Sequence, residues 1–99
     1  MKAHEIAQEA AELLTGDRQR THGEKRVNHE NIGALWSAYL SRRLDRDAPL
    51  TGADVARMMV LLKIARTLAG VHNDDDMVDA VGYAAIAGEL GAPNLEFAQ

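Results

Sequence analysis

The chain contains no cysteine, two prolines, one phenylalanine and one tryptophan in 99 residues. Without thiols there can be no disulfides, thiolate zinc sites or cysteine nucleophiles, which agrees with a reducing cytosol. Aromatics make up only 4% of the residues, so the core must be built from Ala, Leu, Ile, Val and Met, which favours an all-helical protein. No stretch reaches the roughly 18 to 20 uninterrupted apolar residues of a membrane span, and the start at Lys2, His4 and Glu5 lacks a signal-peptide apolar region. The expected location is the cytoplasm. Positive charge is in deficit, with 11 Lys and Arg against 15 Asp and Glu for a net charge of -4. That balance argues against duplex nucleic-acid binding through a general basic surface.

What is present describes a folded globule: 46% hydrophobic and 26% charged residues, in a length suited to one domain with one small core. Apolar spacing predicts four helices, over about 3–14, 26–43, 52–69 and 75–90. In the first, Ile6, Ala7, Ala10, Leu13 and Leu14 share one side and Glu5, Gln8, Glu9 and Glu12 the other, as in a surface helix with one buried stripe. The second presents Ile32, Leu35, Trp36, Tyr39 and Leu40 on its inner arc, with Asn28 and His29 at the edges. The third opens at Thr51 with Asp54 three residues on, a capping box with Asp in place of Glu, and ends near Ala69 with Gly70 as its stop. Val55, Met58, Met59 and Leu62 mark one side and Val60, Leu61 and Ile64 much of the rest, as expected of a central helix. The fourth, capped at Asn73 or Asp74, carries a smooth run of Ala and Gly, including Gly82 and Gly88, whose cost within a helix implies a packing reason.

Two charged pairs stand inside the apolar helices. Lys63 and Arg66, and then Asp76 and Asp79, each have i, i+3 spacing, so each pair occupies one helical face. That face is shared with Val55, Met59, Leu62, Tyr83 and Leu90, where burial is costly unless the charges meet partners or a ligand. Asp76 and Asp79 have the spacing for holding a hard cation such as Mg²⁺, which takes few protein ligands and completes its shell with water and phosphate oxygens. The structural alternative is that Asp76 complements the helix dipole while Asp79 pairs with a core base such as Arg66. Lys63 and Arg66 suit an anionic ligand, Arg by bidentate grip and Lys as a point charge, and the alternative is snorkelling or an internal bridge.

The polar connection from Thr15 to Arg26 places Arg18, Arg20, His22, Lys25 and Arg26 around Gly23, whose backbone could bring amides to a phosphate or could simply be solvated. It matches neither GxxxxGK[ST] nor GxGxxG. Glu24 offers a third carboxylate, and Asn28 an amide for a base or sugar. Trp36 is the aromatic available to a nucleobase, although Trp36 and Tyr39 at helical spacing also read as core. His29 reads as a partly buried edge residue, and His4 and His72 as surface positions.

The segments THGEKRVNHENIGALWSAYL, DVARMMVLLKIAR and DMVDAVGYAAIAGEL cover most of the chain after Thr21. In them the chain resembles a group of small phage-type proteins related to the MazG-like superfamily of all-α nucleoside triphosphate pyrophosphohydrolases. The resemblance implies a four-helix bundle-like fold completed by oligomerisation to a dimer or tetramer. It also implies binding of a nucleotide with Mg²⁺ and cleavage of the α–β phosphate bond by water, releasing a nucleoside monophosphate and pyrophosphate. Asp76-Met77-Val78-Asp79 matches the second metal-holding motif of such enzymes. Their Glu-x-x-Glu half has no counterpart, since the second helix offers only the outward Glu30 and, near its start, Glu24.

Three readings follow. In the first, Asp76, Asp79 and Glu24 place metal and water, Lys63 and Arg66 neutralise phosphate charge, and His22, Asn28, Trp36 and Tyr83 line the nucleotide. In the second, the same pocket binds or sequesters a nucleotide or nucleotide-derived signal without hydrolysis. The third is a helical assembly protein whose internal charges only specify packing.

Overall fold

The computed structural model describes residues 1–14 and 25–93, and there the protein is all-α, with four helices and no strand. They are α1 (Ala3–Leu13), α2 (Lys25–Ser41), α3 (Gly52–Arg66) and α4 (Asp74–Gly91). His22, Glu24 and the basic loop residues Arg18 and Arg20, together with the tail after Pro93, lie outside the described residues.

Local chemistry sets the helix ends. The Thr51 hydroxyl accepts from the Asp54 backbone N–H at 3.1 Å, while the Asp54 carboxylate accepts from the Thr51 N–H at 2.8 Å, so the expected capping box forms with Asp at its third position. Asn73 caps α4 by accepting from the Asp75 N–H at 2.9 Å, and Asp74, Asp75 and Asp76 sit at the positive end of the helix. α3 stops at Arg66 rather than near Ala69, because Thr67 closes the last turn: its N–H and its hydroxyl both bond the Ile64 carbonyl. Gly70 lies three residues beyond that cap. Its φ of 82° turns the connection instead of ending the helix.

α3 is the central element, with α2 and α4 packed antiparallel to it. The Trp36 indole N–H of α2 donates to the Met58 carbonyl of α3 at 2.7 Å, and the Tyr39 hydroxyl donates to Asp54 at 2.7 Å. A Cβ on Gly52, at the start of α3, would lie 3.2 Å from Leu90 near the end of α4. At the opposite end, Lys63 and Arg66 meet Asp79 and Asp76. The buried apolar residues are mostly small: Ala53, Ala56, Met58 and Ala65 of α3 with Ala80 and Ala87 of α4. Small side chains let helices approach closely, but each removes little apolar area from water.

Several apolar positions depart from the sequence reading. α1 has no buried residue, and Ile6, Leu13 and Leu14 are 55%, 53% and 62% exposed, so the stripe expected to be buried is uncovered. Val55 and Leu90 are exposed rather than lining the charged face. Gly82 and Gly88 would have nothing within 4 Å of an added Cβ, so within the chain no close backbone approach explains them. Among the described residues no helix is long and apolar enough to cross a membrane.

Candidate functional site

The antiparallel register of α3 and α4 brings the two charged pairs together. Lys63 Nζ stands 3.0 Å from Asp79 Oδ2, and an Arg66 guanidinium nitrogen stands 3.8 Å from Asp76 Oδ1. The crossed pairing follows from geometry: the later residue of α3 faces the earlier residue of α4. Asp79 therefore pairs with Lys63, and Arg66 takes Asp76 instead. Burial divides the pairs unevenly, because the Lys63 side chain is 12% exposed and that of Asp79 48%, whereas Asp76 is buried.

At 3.8 Å the Arg66–Asp76 contact is coulombic rather than a hydrogen bond. Among the described residues the Asp76 carboxylate has no other charged or hydrogen-bonding partner. A buried carboxylate so sparsely bonded is costly unless something more reaches it. Among the described residues no three His, Cys, Asp or Glu side chains gather as a metal-holding group. Asp76 and Asp79 alone still form a one-turn carboxylate pair of the kind a hard cation uses together with water and phosphate oxygens.

Register places further residues at this end. Asn28 lies eight residues before Trp36, and Arg66 eight residues after Met58, so the Trp36–Met58 bond sets Asn28 at the level of Arg66. Asn28 is buried, and Tyr83, one turn beyond Asp79, is half-buried on the same side of α4. Trp36 is half-buried, with its N–H committed to the Met58 carbonyl two turns from the charged cluster. His29 is exposed rather than partly buried, and its Nδ1 lies 2.6 Å from the Lys25 carbonyl oxygen.

A second polar cluster, which spacing did not reveal, occupies the other end of the bundle. Asp54 Oδ2 accepts from the Thr51 N–H at 2.8 Å, the Thr51 hydroxyl at 3.0 Å and Arg43 at 3.0 Å. Its Oδ1 accepts from the Tyr39 hydroxyl at 2.7 Å, with Arg57 at 3.8 Å. Arg43 also donates to the Ala48 and Pro49 carbonyls at 3.0 and 3.3 Å, tying the α2–α3 connection to the cap. These donors, led by the Thr51 N–H and then the Tyr39 hydroxyl, hold the Asp54 carboxyl at about 2 against an ordinary 3.8. The sequence signals for this node were the capping box and the i, i+3 spacing of Asp54 with Arg57, whereas Tyr39 and Arg43 reach Asp54 from α2 and the connection after it, which no spacing links to α3.

Comparison with known proteins gives this geometry a family. A model described as a domain of unknown function, DUF6378, matches residues 5–91. The chain is 39% identical over 87 residues to the Gene 55 protein of Mycobacterium phage L5, covering 88% of this chain and 53% of that protein. It is 35% identical over 79 residues to the Gene 55 protein of Mycobacterium phage D29, covering 80% of this chain and 48% of that one. The chain thus spans about half the length of the curated relatives it matches. No solved structure matches it. With nearly every described element inside the matched span, the chain is a phage-type protein similar to the mycobacteriophage Gene 55 proteins, and it belongs to the DUF6378 family.

Proposed function

We propose that this protein binds a nucleotide at the Lys63, Arg66, Asp76 and Asp79 end of the bundle and, with Mg²⁺, hydrolyses a (deoxy)nucleoside triphosphate to the monophosphate and pyrophosphate. The observation that carries the reading is the buried Asp76 carboxylate, set beside Arg66 at 3.8 Å and one turn from the Lys63–Asp79 pair. Two cations and two carboxylates cancel, so these side chains alone give an incoming triphosphate no excess positive charge. A divalent cation corrects that balance, and Asp76 and Asp79 are the described residues that would hold it, with Glu24 as a third. When bound, the metal polarises phosphate oxygens and a water. Asp76 or Asp79, turned to such a metal, would leave its cation free, and Lys63 and Arg66 would then neutralise the phosphate charge that grows as water attacks the α-phosphorus and pyrophosphate leaves. Asn28 and Tyr83 contact the nucleoside, and His22 and Trp36 belong to the same expected lining. The MazG-like kinship and assembly as a cytoplasmic dimer or tetramer are parts of this proposal.

Asp79→Ala tests it. Turnover falls at least about a hundredfold while the helical circular dichroism is unchanged, because the Asp79 side chain is half-exposed and its removal leaves no cavity. If purified wild-type protein releases no pyrophosphate from any nucleoside triphosphate with Mg²⁺, hydrolysis is excluded.

The second reading, non-catalytic nucleotide binding or sequestration, is favoured by one observation: Asp76 and Asp79 each face a cation, and among the described residues no third His, Cys, Asp or Glu gathers with them as a metal-holding group. It predicts calorimetric binding that survives EDTA, with the ligand recovered unchanged.

A further inference from the structure

α1 and the bundle carry two apolar surfaces that match each other and are both uncovered in the single chain. Ile6, Ala10 and Leu13 recur at i, i+4 and i+7 on α1, and no residue of that helix is buried. Along one flank of the stripe runs Glu9, and Glu5 continues that flank while accepting from the Lys2 N–H at 3.1 Å. On the bundle, a hollow of about 450 Å³ opens over α3 between α2 and α4, with Val60 and Leu61 as its floor and Ala84 and Gly88 as a low wall. It shares Tyr39 and Arg57 with a neighbouring hollow of about 460 Å³ that Arg42, Arg43, Asp45 and Asp54 also line, so the apolar groove adjoins an end where three arginines outnumber two aspartates.

The charges in that basic end are not all used. Arg43 is committed to Asp54 and to two carbonyls. Arg57 reaches Tyr39 at 3.3 Å and Asp54 only at 3.8 Å, with 48% of its side chain exposed. Arg42 is exposed and has no side-chain partner among the described residues. A short helix with an apolar stripe and an acidic flank is the complement of this groove.

We infer that α1 of a second copy lies in the groove between α2 and α4, Ile6 and Leu13 toward Val60 and Leu61 and Glu9 toward Arg57, and that two copies exchange their first helices in this way. The surface is self-complementary, because each molecule carries both the helix and the groove. That condition closes a symmetric dimer through two equal contacts. The inference rests on the self-association in the proposed function, names its surfaces and is independent of nucleotide chemistry.

The absence of native cysteine makes the test direct. A tagged chain carrying Leu13→Cys is mixed with an untagged chain carrying Ala84→Cys and oxidised, both positions being exposed in the single chain. A disulfide-linked heterodimer is expected. It should not form when the second cysteine is placed at Glu89, on the opposite face of α4. Adding Glu9→Arg to the first chain lowers the linked yield by roughly twofold to fivefold at low salt, as for an exposed ion pair. A sedimenting dimer without the Leu13–Ala84 link refutes helix exchange and leaves self-association standing, whereas a monomer at every concentration refutes both. In a chain that carries both Leu13→Cys and Ala84→Cys, a link formed within the one chain assigns the groove to its own α1 and also refutes exchange.

Discussion

The two ends of the bundle each hold a buried aspartate, and they treat it in opposite ways. Asp54 is met by two donors from Thr51, one from Tyr39 and one from Arg43 at 2.7 to 3.0 Å. Asp76, equally buried, faces one guanidinium at 3.8 Å. A carboxylate surrounded by hydrogen-bond donors is held chiefly by neutral groups and has no lone pairs left for a ligand. A buried carboxylate with one distant cation lacks that support, and a metal or ligand donor would supply it. The difference separates a structural aspartate from a candidate functional one without reference to sequence position.

The same isosteric change at each end breaks this contrast if it is false. Asp54→Asn turns a hydrogen-bond acceptor into a partial donor among four donors, and Tm should fall by about 10 °C. Asp76→Asn disturbs one long contact, and Tm should move by less than about 4 °C in either direction, because Arg66 is partly exposed and can turn to water. Equal shifts in thermal melts of the two variants would remove the distinction.

Acid sharpens it. The Asp54 carboxyl is held at about 2 in the fold against an ordinary 3.8. A depressed carboxyl contributes stability that is fully present above its unfolded value and is lost as pH falls through the folded one. Wild-type Tm should therefore decline from about pH 4 towards pH 2, and Asp54→Asn should flatten that decline. Circular dichroism melts across this range read the effect. A parallel decline in both proteins would place the acid-sensitive group elsewhere.

These contrasts also mark what the sequence could and could not reveal. Periodicity and caps were enough for an all-α fold, because Thr51, Asp54 and Asn73 act on their own neighbours and local chemistry is written locally. The i, i+3 spacing of Lys63 with Arg66 and of Asp76 with Asp79 made it legible that each pair shares a face. Which base meets which acid depended on the antiparallel register of α3 and α4, and the sequence reading paired Arg66 with the wrong aspartate as its structural alternative. The Asp54 node was only partly legible, because Thr51 and Arg57 are its local neighbours while Tyr39 and Arg43 reach it only after α2 packs on α3. The α1 stripe misled for a different reason: amphipathicity shows that a face seeks cover, and it does not say that the same chain provides it. Glu24 and His22, the third carboxylate and the loop ligand of the sequence reading, fall outside the described residues.

An effect of the opposite sign, a gain in stability, concerns two glycines of α4 in unlike surroundings. A Cβ at Gly91 would come within 2.9 Å of an Arg57 nitrogen, the far end of a flexible side chain, so Gly91→Ala displaces Arg57 from Tyr39 and lowers stability slightly. A Cβ at Gly82, mid-helix and with nothing within 4 Å, meets open space. Gly82→Ala should therefore stabilise the protein by about 0.5–1 kcal/mol, raising Tm by roughly 2–8 °C through the lower entropy of the unfolded chain. Val78 and Val81 on the same outer side of α4 are 66% and 68% exposed, so that face has apolar surface to offer a partner. If Gly82→Ala instead lowers Tm, and does so only at concentrations where the protein associates, the glycine is making room for another copy, and the outer face of α4 joins the groove as a contact between subunits.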